Sequence, residues 1–212
     1  MKHFLIGLEN ITYQIGYKTI FDRFSFHVEK NIHRCVVGPN GSGKTTLLKM
    51  LAGWIHPTKG QRLAFGPEHS NPSTDLMQKQ IGICLTQPAL FDALSIQENF
   101  LWISKLAGQS AISTDALEDM EHLGISGLMD RKPPTLSSGE RQKFSLIRSW
   151  MLSPHVLLLD EPTSFLDEQS RAPLIEILHK KAQDTTIVIA THDTQLMDQL
   201  QFHTLALPGK AL

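Results

Sequence analysis

Eight consecutive residues, Gly38-Pro39-Asn40-Gly41-Ser42-Gly43-Lys44-Thr45, set three glycines, a lysine and a hydroxyl in the order G-x-x-x-x-G-K-[ST]. Glycine lets the backbone curl so that successive N–H groups point inward as an anion nest. An apolar segment precedes the loop and a helical pattern follows it, which is the context this spacing requires. The helix start adds its positive dipole end. Lys44 then reaches the β- and γ-phosphates of a nucleotide, and the Thr45 hydroxyl serves Mg²⁺. A second segment, Val156-Leu157-Leu158-Leu159-Asp160-Glu161, delivers two carboxylates to the end of a wholly apolar strand. Carboxylates so placed need a cation or a proton partner. Asp160 suits Mg²⁺ held through water, because that ion dehydrates reluctantly. Glu161 suits a general base for an attacking water. Together the two segments imply phosphoryl transfer, with the acceptor open.

Both segments must sit at one edge of a sheet. Phe24 to Val28, Ile32 to Val37, residues 61–65 and 81–86, Val156 to Leu159, 186–190 and 203–207 read as strands. Thr45 to Trp54, a helix opening at the Ser95-Ile96-Gln97-Glu98 capping box, Ser113 to Leu123, Gly139 to Leu152, 167–181 and 193–201 read as helices. Continuous apolar strands alternating with helices predict a parallel sheet covered on both faces. The fold class is α/β of the P-loop NTPase kind, with an antiparallel N-terminal β part. The stretch 88–152 lacks strand signals and predicts a helical subdomain inserted between core segments 1–87 and 153–212. One domain of 212 residues is the expectation.

Net charge is −1, so no bulk electrostatic attraction to nucleic acid or anionic lipid is expected. Cys35 and Cys84 lie in apolar segments and read as buried, reduced thiols of a cytosolic protein. The N-terminal apolar stretch is too short for a signal peptide. No apolar run approaches the roughly 18 residues of a membrane span.

Four further motifs, in order, select one family. Gln87 ends the strand Ile81 to Thr86. Leu136-Ser137-Ser138-Gly139-Glu140 precedes a helix about twenty residues before the acidic strand. Ser164-Phe165-Leu166-Asp167 follows Glu161. Ala190-Thr191-His192-Asp193 follows the strand 186–190. With the glycine-rich loop and the acidic strand, these resemble the ABC (ATP-binding cassette) transporter ATPases over residues 5–207. Ser138 and Glu140 stand where that family carries glycine and glutamine, and Ser137-x-x-Glu140 also fits a plain capping box. The resemblance implies that residues 38–45 with Thr46 bind ATP. It implies that Thr45, Gln87 and Asp160 serve Mg²⁺. It makes Glu161, His192, Gln87 and Lys44 catalytic. Ser137 and Gly139 would complete the site of a second copy in an ATP-dependent homodimer. The family stacks adenine on an aromatic residue upstream of the loop. Tyr13 and Tyr17 lie there on one strand face, with Ile15 between them at the usual position, and Tyr17 is favoured.

The family also implies a separate transmembrane permease, with this chain peripheral on the cytoplasmic face of the membrane. The apolar residues of segment 88–110 would divide between subdomain core and a docking groove. A soluble ABC ATPase acting on nucleic acid or ribosomes is the alternative, but the paired modules or long coiled coils of such proteins do not appear, and no nucleic-acid partner is expected. The short middle region, Arg148-Ser149-Trp150, and Thr19-Ile20-Phe21 before Phe24-Ser25-Phe26 are similar to the ATPase subunit of the cytochrome c maturation haem exporter.

Overall fold

A computed structural model describes residues 4–64, 80–87 and 89–207. Residues 1–3 and 208–212 at the ends of the expected core, residue 65 of the expected strand 61–65, and Pro88 at the expected subdomain boundary lie outside the described residues.

Five parallel strands form the central sheet: β3 (Arg34–Val37), β5 (Ile81–Cys84), β6 (Val156–Asp160), β7 (Thr186–Ala190) and β8 (His203–Ala206). Their spatial order is β5-β6-β7-β3-β8. β6 and β7 are buried at every position. The two-residue period of a strand sends alternate side chains to opposite faces. Val36, Val156, Leu158, Val188 and Ala190 join one buried cluster, while Cys35, Leu157, Leu159, Ile187 and Ile189 join the other. This explains the unbroken apolar runs: a strand covered on both faces cannot alternate with polar residues.

The first cluster lies under a second sheet, β2-β1-β4, which is antiparallel. Its strands are β1 (Phe4–Ile15), β2 (Lys18–Glu29) and β4 (Lys59–Ala64). Helix α1 (Lys44–Leu51) brings Leu47, Leu48, Met50 and Leu51 into that cluster. The second cluster is roofed by the helices α2 (Ile96–Leu106), α3 (Thr114–His122), α4 (Ser138–Trp150) and α5 (Glu168–Lys181). Helix α6 (Thr194–Leu200) follows β7. Between residues 89 and 152 the described chain forms helices and short 3₁₀ turns.

Several expected boundaries move for local reasons. β2 runs six residues further toward the N-terminus than Phe24, because its hairpin with β1 continues to the Ile15–Lys18 pair. Register shifts along that ladder blur the alternation a sequence reading uses. β3 begins at Arg34 rather than Ile32, since Asn31 takes a left-handed conformation at φ 61°. α1 stops at Leu51 rather than Trp54, where Gly53 turns the chain at φ 78°. The expected capping box of α2 is formed: Glu98 N–H donates to Ser95 Oγ at 3.1 Å and Ser95 N–H to Glu98 Oε2 at 2.7 Å. Among the described residues, no helix is long and apolar enough to cross a membrane.

Candidate active site

The sheet places the chemistry in one row. β7 lies between β3 and β6, and Ala190 pairs with Val36 on one side and Asp160 on the other. The loop after β3, the carboxylates after β6 and the residues after β7 therefore leave the same carboxyl edge, where open α/β sheets hold ligands.

The loop Gly38–Gly43 curls between β3 and α1. Gly43 is the residue before the helix, at φ 105°. A Cβ there would sit 2.9 Å from Ile20 Cγ2 and 3.0 Å from Phe21 Cζ, so both space and backbone require glycine. Lys44 is buried, and its Nζ donates to the carbonyls of Gly38 at 2.8 Å and Pro39 at 3.4 Å. The ammonium is thus held inside the curl of the loop. Asn40, Gly41, Gly43, Lys44, Thr45 and Thr46 line a cleft of about 470 Å³ that also contains Thr86, Asp160 and Glu161.

Asp160 is 2% exposed. One of its oxygens accepts from Thr45 Oγ1 at 2.7 Å and from Thr86 Oγ1 at 3.2 Å. Burial raises its pKa above the ordinary aspartate value. The two hydroxyls and Lys44 pull the other way, while Glu161 adds to the rise. A buried carboxylate flanked by hydroxyl oxygens is a hard, oxygen-only donor set with few protein ligands, which suits Mg²⁺.

Glu161 follows in a left-handed conformation, φ 48°, that non-glycine residues seldom adopt. Its N–H donates to Ala190 O at 2.8 Å, tying the turn to β7. Its carboxylate meets His192 Nδ1 at 2.7 Å and accepts from Thr191 Oγ1 at 3.0 Å and His192 N–H at 3.4 Å. The carboxylate is mostly covered and the imidazole mostly exposed. Behind them, Asp193 caps α6 and accepts from Leu196 N–H at 3.1 Å, Thr163 Oγ1 at 2.8 Å and Arg171 Nη1 at 2.6 Å. Burial opposes its charge, but those donors outweigh it and hold the pKa below the ordinary value. The loop after β6 and the loop after β7 are thereby fixed to one another.

A second cleft, of about 310 Å³, is lined by Ser137, Ser138, Gly139, Glu140 and Lys143, with Phe165 and Asp167 across from them. Ser137 and Ser138 are exposed at the start of α4. The capping box exists here too: Glu140 N–H donates to Ser137 Oγ at 3.2 Å, and Ser137 N–H to Glu140 Oε2 at 2.7 Å. A Cβ on Gly139 would lie 2.7 Å from Phe165 O, so the close approach of the 161–167 loop excludes a side chain. That loop joins the two clefts, with Glu161 in one and Phe165 and Asp167 in the other.

A profile described as ABC transporter matches residues 21–164, more than half of the chain. The chain belongs to the ABC transporter ATP-binding family. A putative ABC transporter ATP-binding protein of Methanosarcina acetivorans is 32% identical over 96% of this chain and 79% of its own length. A probable iron export ATP-binding protein of Escherichia coli is 31% identical over 89% of this chain and 85% of its own. An ergothioneine transport ATP-binding protein of Helicobacter pylori is 30% identical over 96% and 97%. The cassette fold is shared with a dimeric ATP-binding cassette solved with ADP and Pi, at TM-score 0.81 and 24% identity, over 96% of this chain and 94% of that one. This cassette is an ABC-type ATPase of the P-loop fold, with ATP as its nucleotide.

Three of the expected site residues, Tyr17, Gln87 and His192, are not among those that line the first cleft. Tyr17 does not continue a strand face with Tyr13. β1 ends at Ile15, and Tyr17 sits in the hairpin turn beside Gly16, fully exposed and outside the cleft lining. Ile15 lines the cleft instead. Gln87 is exposed beyond the end of β5, and its neighbour Thr86 makes the contact with Asp160. His192 reaches the cleft through Glu161 rather than as a lining residue. Thr86, Thr163, Arg171 and Thr191 carry no motif signal of their own. The one sequence cue is that Thr86 and Thr191 immediately precede Gln87 and His192 at strand ends.

Proposed function

We propose that this cassette hydrolyses ATP at the interface of a two-fold dimer and drives a separate transmembrane permease from the cytoplasmic face of the membrane. The observation that carries the reading is the presence of two distinct clefts, each built around a helix start, joined by the short loop 161–167. A phosphate cradle on one face and an exposed serine-glycine cap on another let two copies complete each other's sites with two-fold symmetry. ATP touching both copies only when they are closed shifts the population toward closure.

In this mechanism the loop 38–45 and Lys44 grip the triphosphate. Thr45 and Asp160 would hold Mg²⁺, with Gln87 reaching in from its exposed position after β5. The ion would neutralise charge that develops on the phosphate oxygens. Glu161 takes the proton of the attacking water. His192 and Thr191 keep that carboxylate aimed, by the contacts described above. Ser137 and Gly139 serve the partner's nucleotide. The helices between residues 89 and 152 form the subdomain that carries the serine-glycine cap.

Phe91 and Trp102 are about half exposed and pack edge to face at 4.8 Å, with Leu106 exposed nearby in sequence. Phe91 is anchored by Asn99, which is fully buried and bonds both its N–H and its carbonyl. This rigid apolar ridge, close in sequence after Gln87, is the permease-facing surface. The relatives are named for iron, ergothioneine and sulfate, which leaves the cargo to the permease. Haem export rests on Arg148–Trp150 and Thr19–Phe21. Within the first stretch, Ser149 bonds Leu146 O and Trp150 bonds Asp119, both packing roles. A balanced net charge continues to disfavour nucleic acid as the partner.

The dimer is tested with Glu161→Gln and MgATP. The variant keeps the hydrogen-bonding shape of Glu161 without its basicity, so turnover should fall by about 10²–10⁴. In gel filtration at micromolar protein it should elute as a dimer with MgATP and as a monomer without. A variant that stays monomeric in MgATP would refute the shared site.

A further inference from the structure

We infer that Asp119 is a positioning residue for the serine-glycine cap, holding the helix that carries the cap in register with the loop that faces it. The inference rests on the dimer reading above, in which the cap serves the partner's nucleotide, and deepens it by naming what holds the cap in place.

Three helices border the second cleft. α4 starts there with Ser137, Ser138 and Gly139, and α5 starts there behind Phe165 and Asp167. α3 ends there, with Gly124 and Ile125 following it into the lining. α4 has 13 residues and α5 has 14, so each is about 20 Å long. Their last residues, Trp150 and Lys181, meet on a single atom of α3. Asp119 Oδ2 accepts from Trp150 Nε1 at 2.8 Å and pairs with Lys181 Nζ at 2.9 Å. Asp119 is 3% exposed, Trp150 is buried and the Lys181 side chain is mostly covered.

A covered pair is little screened by salt. Removing either donor leaves the carboxylate buried with one partner fewer. The other ion pairs between α3 and α5, His122–Glu176 and Lys180–Glu118, are exposed and contribute little. Ser113 Oγ adds a second tie at the same end, donating to Met151 O just past α4 at 3.3 Å. At the cleft end, Lys143 Nζ donates to Leu123 O at 3.1 Å, and Gly139 lies against Phe165 O. α4 is thus held at both ends. Released at Trp150, it can tilt as a rod and carry Ser137 and Gly139 with it. Hydrogen bonds from the cap to a phosphate weaken steeply as their geometry departs from ideal. A misplacement of about 1 Å can cost about 10² in rate. Neither Asp119 nor its two donors line the first cleft, so the chain's own phosphate cradle is left intact.

The test uses Trp150→Phe, which removes one N–H donor and keeps an aromatic ring, and Lys181→Met, which removes the charge and keeps the stem. Each should bind MgADP, a probe of the chain's own cradle, within about twofold of wild type by calorimetry, as expected for distant sites. In each, kcat should fall by about 10–10². In the Glu161→Gln background with MgATP, each should need about tenfold more protein to dimerise in gel filtration, the change expected from one lost charge-assisted contact. Should Lys181→Met melt below the assay temperature, Trp150→Phe decides, because it leaves the ion pair in place. Turnover and dimerisation equal to those of the parent proteins would overturn the inference. So would an MgADP affinity that falls in step with kcat, the mark of a general loss of structure. A Glu161→Gln parent that stays monomeric in MgATP would refute the shared site itself, whereas a dimeric parent with unaffected variants would refute the role of Asp119 alone.

Discussion

Replacing Asp160 by asparagine should make the cassette more stable and catalytically silent at once. Asp160 is buried, and its contacts within hydrogen-bonding reach are two neutral hydroxyls on a single oxygen. Among the described residues, no Lys, Arg or His nitrogen lies within ion-pair distance of it. Its charge is thus held at a cost, and burial raises its pKa accordingly. An asparagine oxygen can accept from Thr45 and Thr86 in the same place, so neither bond is lost. The new amide N–H groups need partners, at about 1–3 kcal/mol if one goes without. Relief of a desolvated carboxylate is several kcal/mol. The difference is a net gain of about 1 kcal/mol, or about 2–4 °C in the unfolding midpoint for a chain of this size.

The sign with pH follows from linkage. A carboxyl whose folded pKa is raised binds its proton more tightly in the native state. Wild-type stability therefore declines as pH rises from the ordinary aspartate range, about 3.9, through the higher folded value. Asp160→Asn should lack that component. The assay is thermal unfolding by circular dichroism in EDTA, without nucleotide, from about pH 4 to pH 8, beside phosphate release in MgATP. Turnover should drop by at least about 10², since the charge that suits Mg²⁺ is gone. A variant that melts several degrees lower at neutral pH would show that the carboxylate is already compensated, and the argument for a cation site would fail.

Lys44→Ala removes the ammonium held within the loop and should weaken MgATP binding at least about tenfold, the change expected from losing one charge-assisted contact. Unchanged affinity by calorimetry would count against the cradle. Asp193 has a depressed pKa, so its stabilising effect is complete above the ordinary aspartate range and is lost as pH falls through its lower folded value. Asp193→Ala should flatten stability across that acid window, measured by urea unfolding, and should slow turnover by loosening the loop that carries His192. An acid limb identical to wild type would show that Asp193 has no such part.

The sequence alone settled those features that depend on short-range chemistry. Gly43-Lys44-Thr45 can be read directly because glycine, a lysine and a helix start must be contiguous to wrap a phosphate. The runs at Val156–Asp160 and Thr186–Ala190 identify central parallel strands, since only a strand covered on both faces stays apolar throughout. Both capping boxes were legible for the same reason: their partners are three residues apart. Where side chains meet across the fold, only the tertiary structure decided. Thr86 reaches Asp160 across 74 residues, and Thr191 reaches Glu161 across 30. An isolated threonine carries no period or motif, so nothing local marks it. Tyr17 leaves the strand face of Tyr13 because the two-residue period holds only while the strand lasts, and the chain turns at Gly16. The register of β7 between β3 and β6 does the remaining work, bringing distant loops to one edge. Strand pairing is a long-range choice, made by burial of whole faces rather than by any one residue's preference.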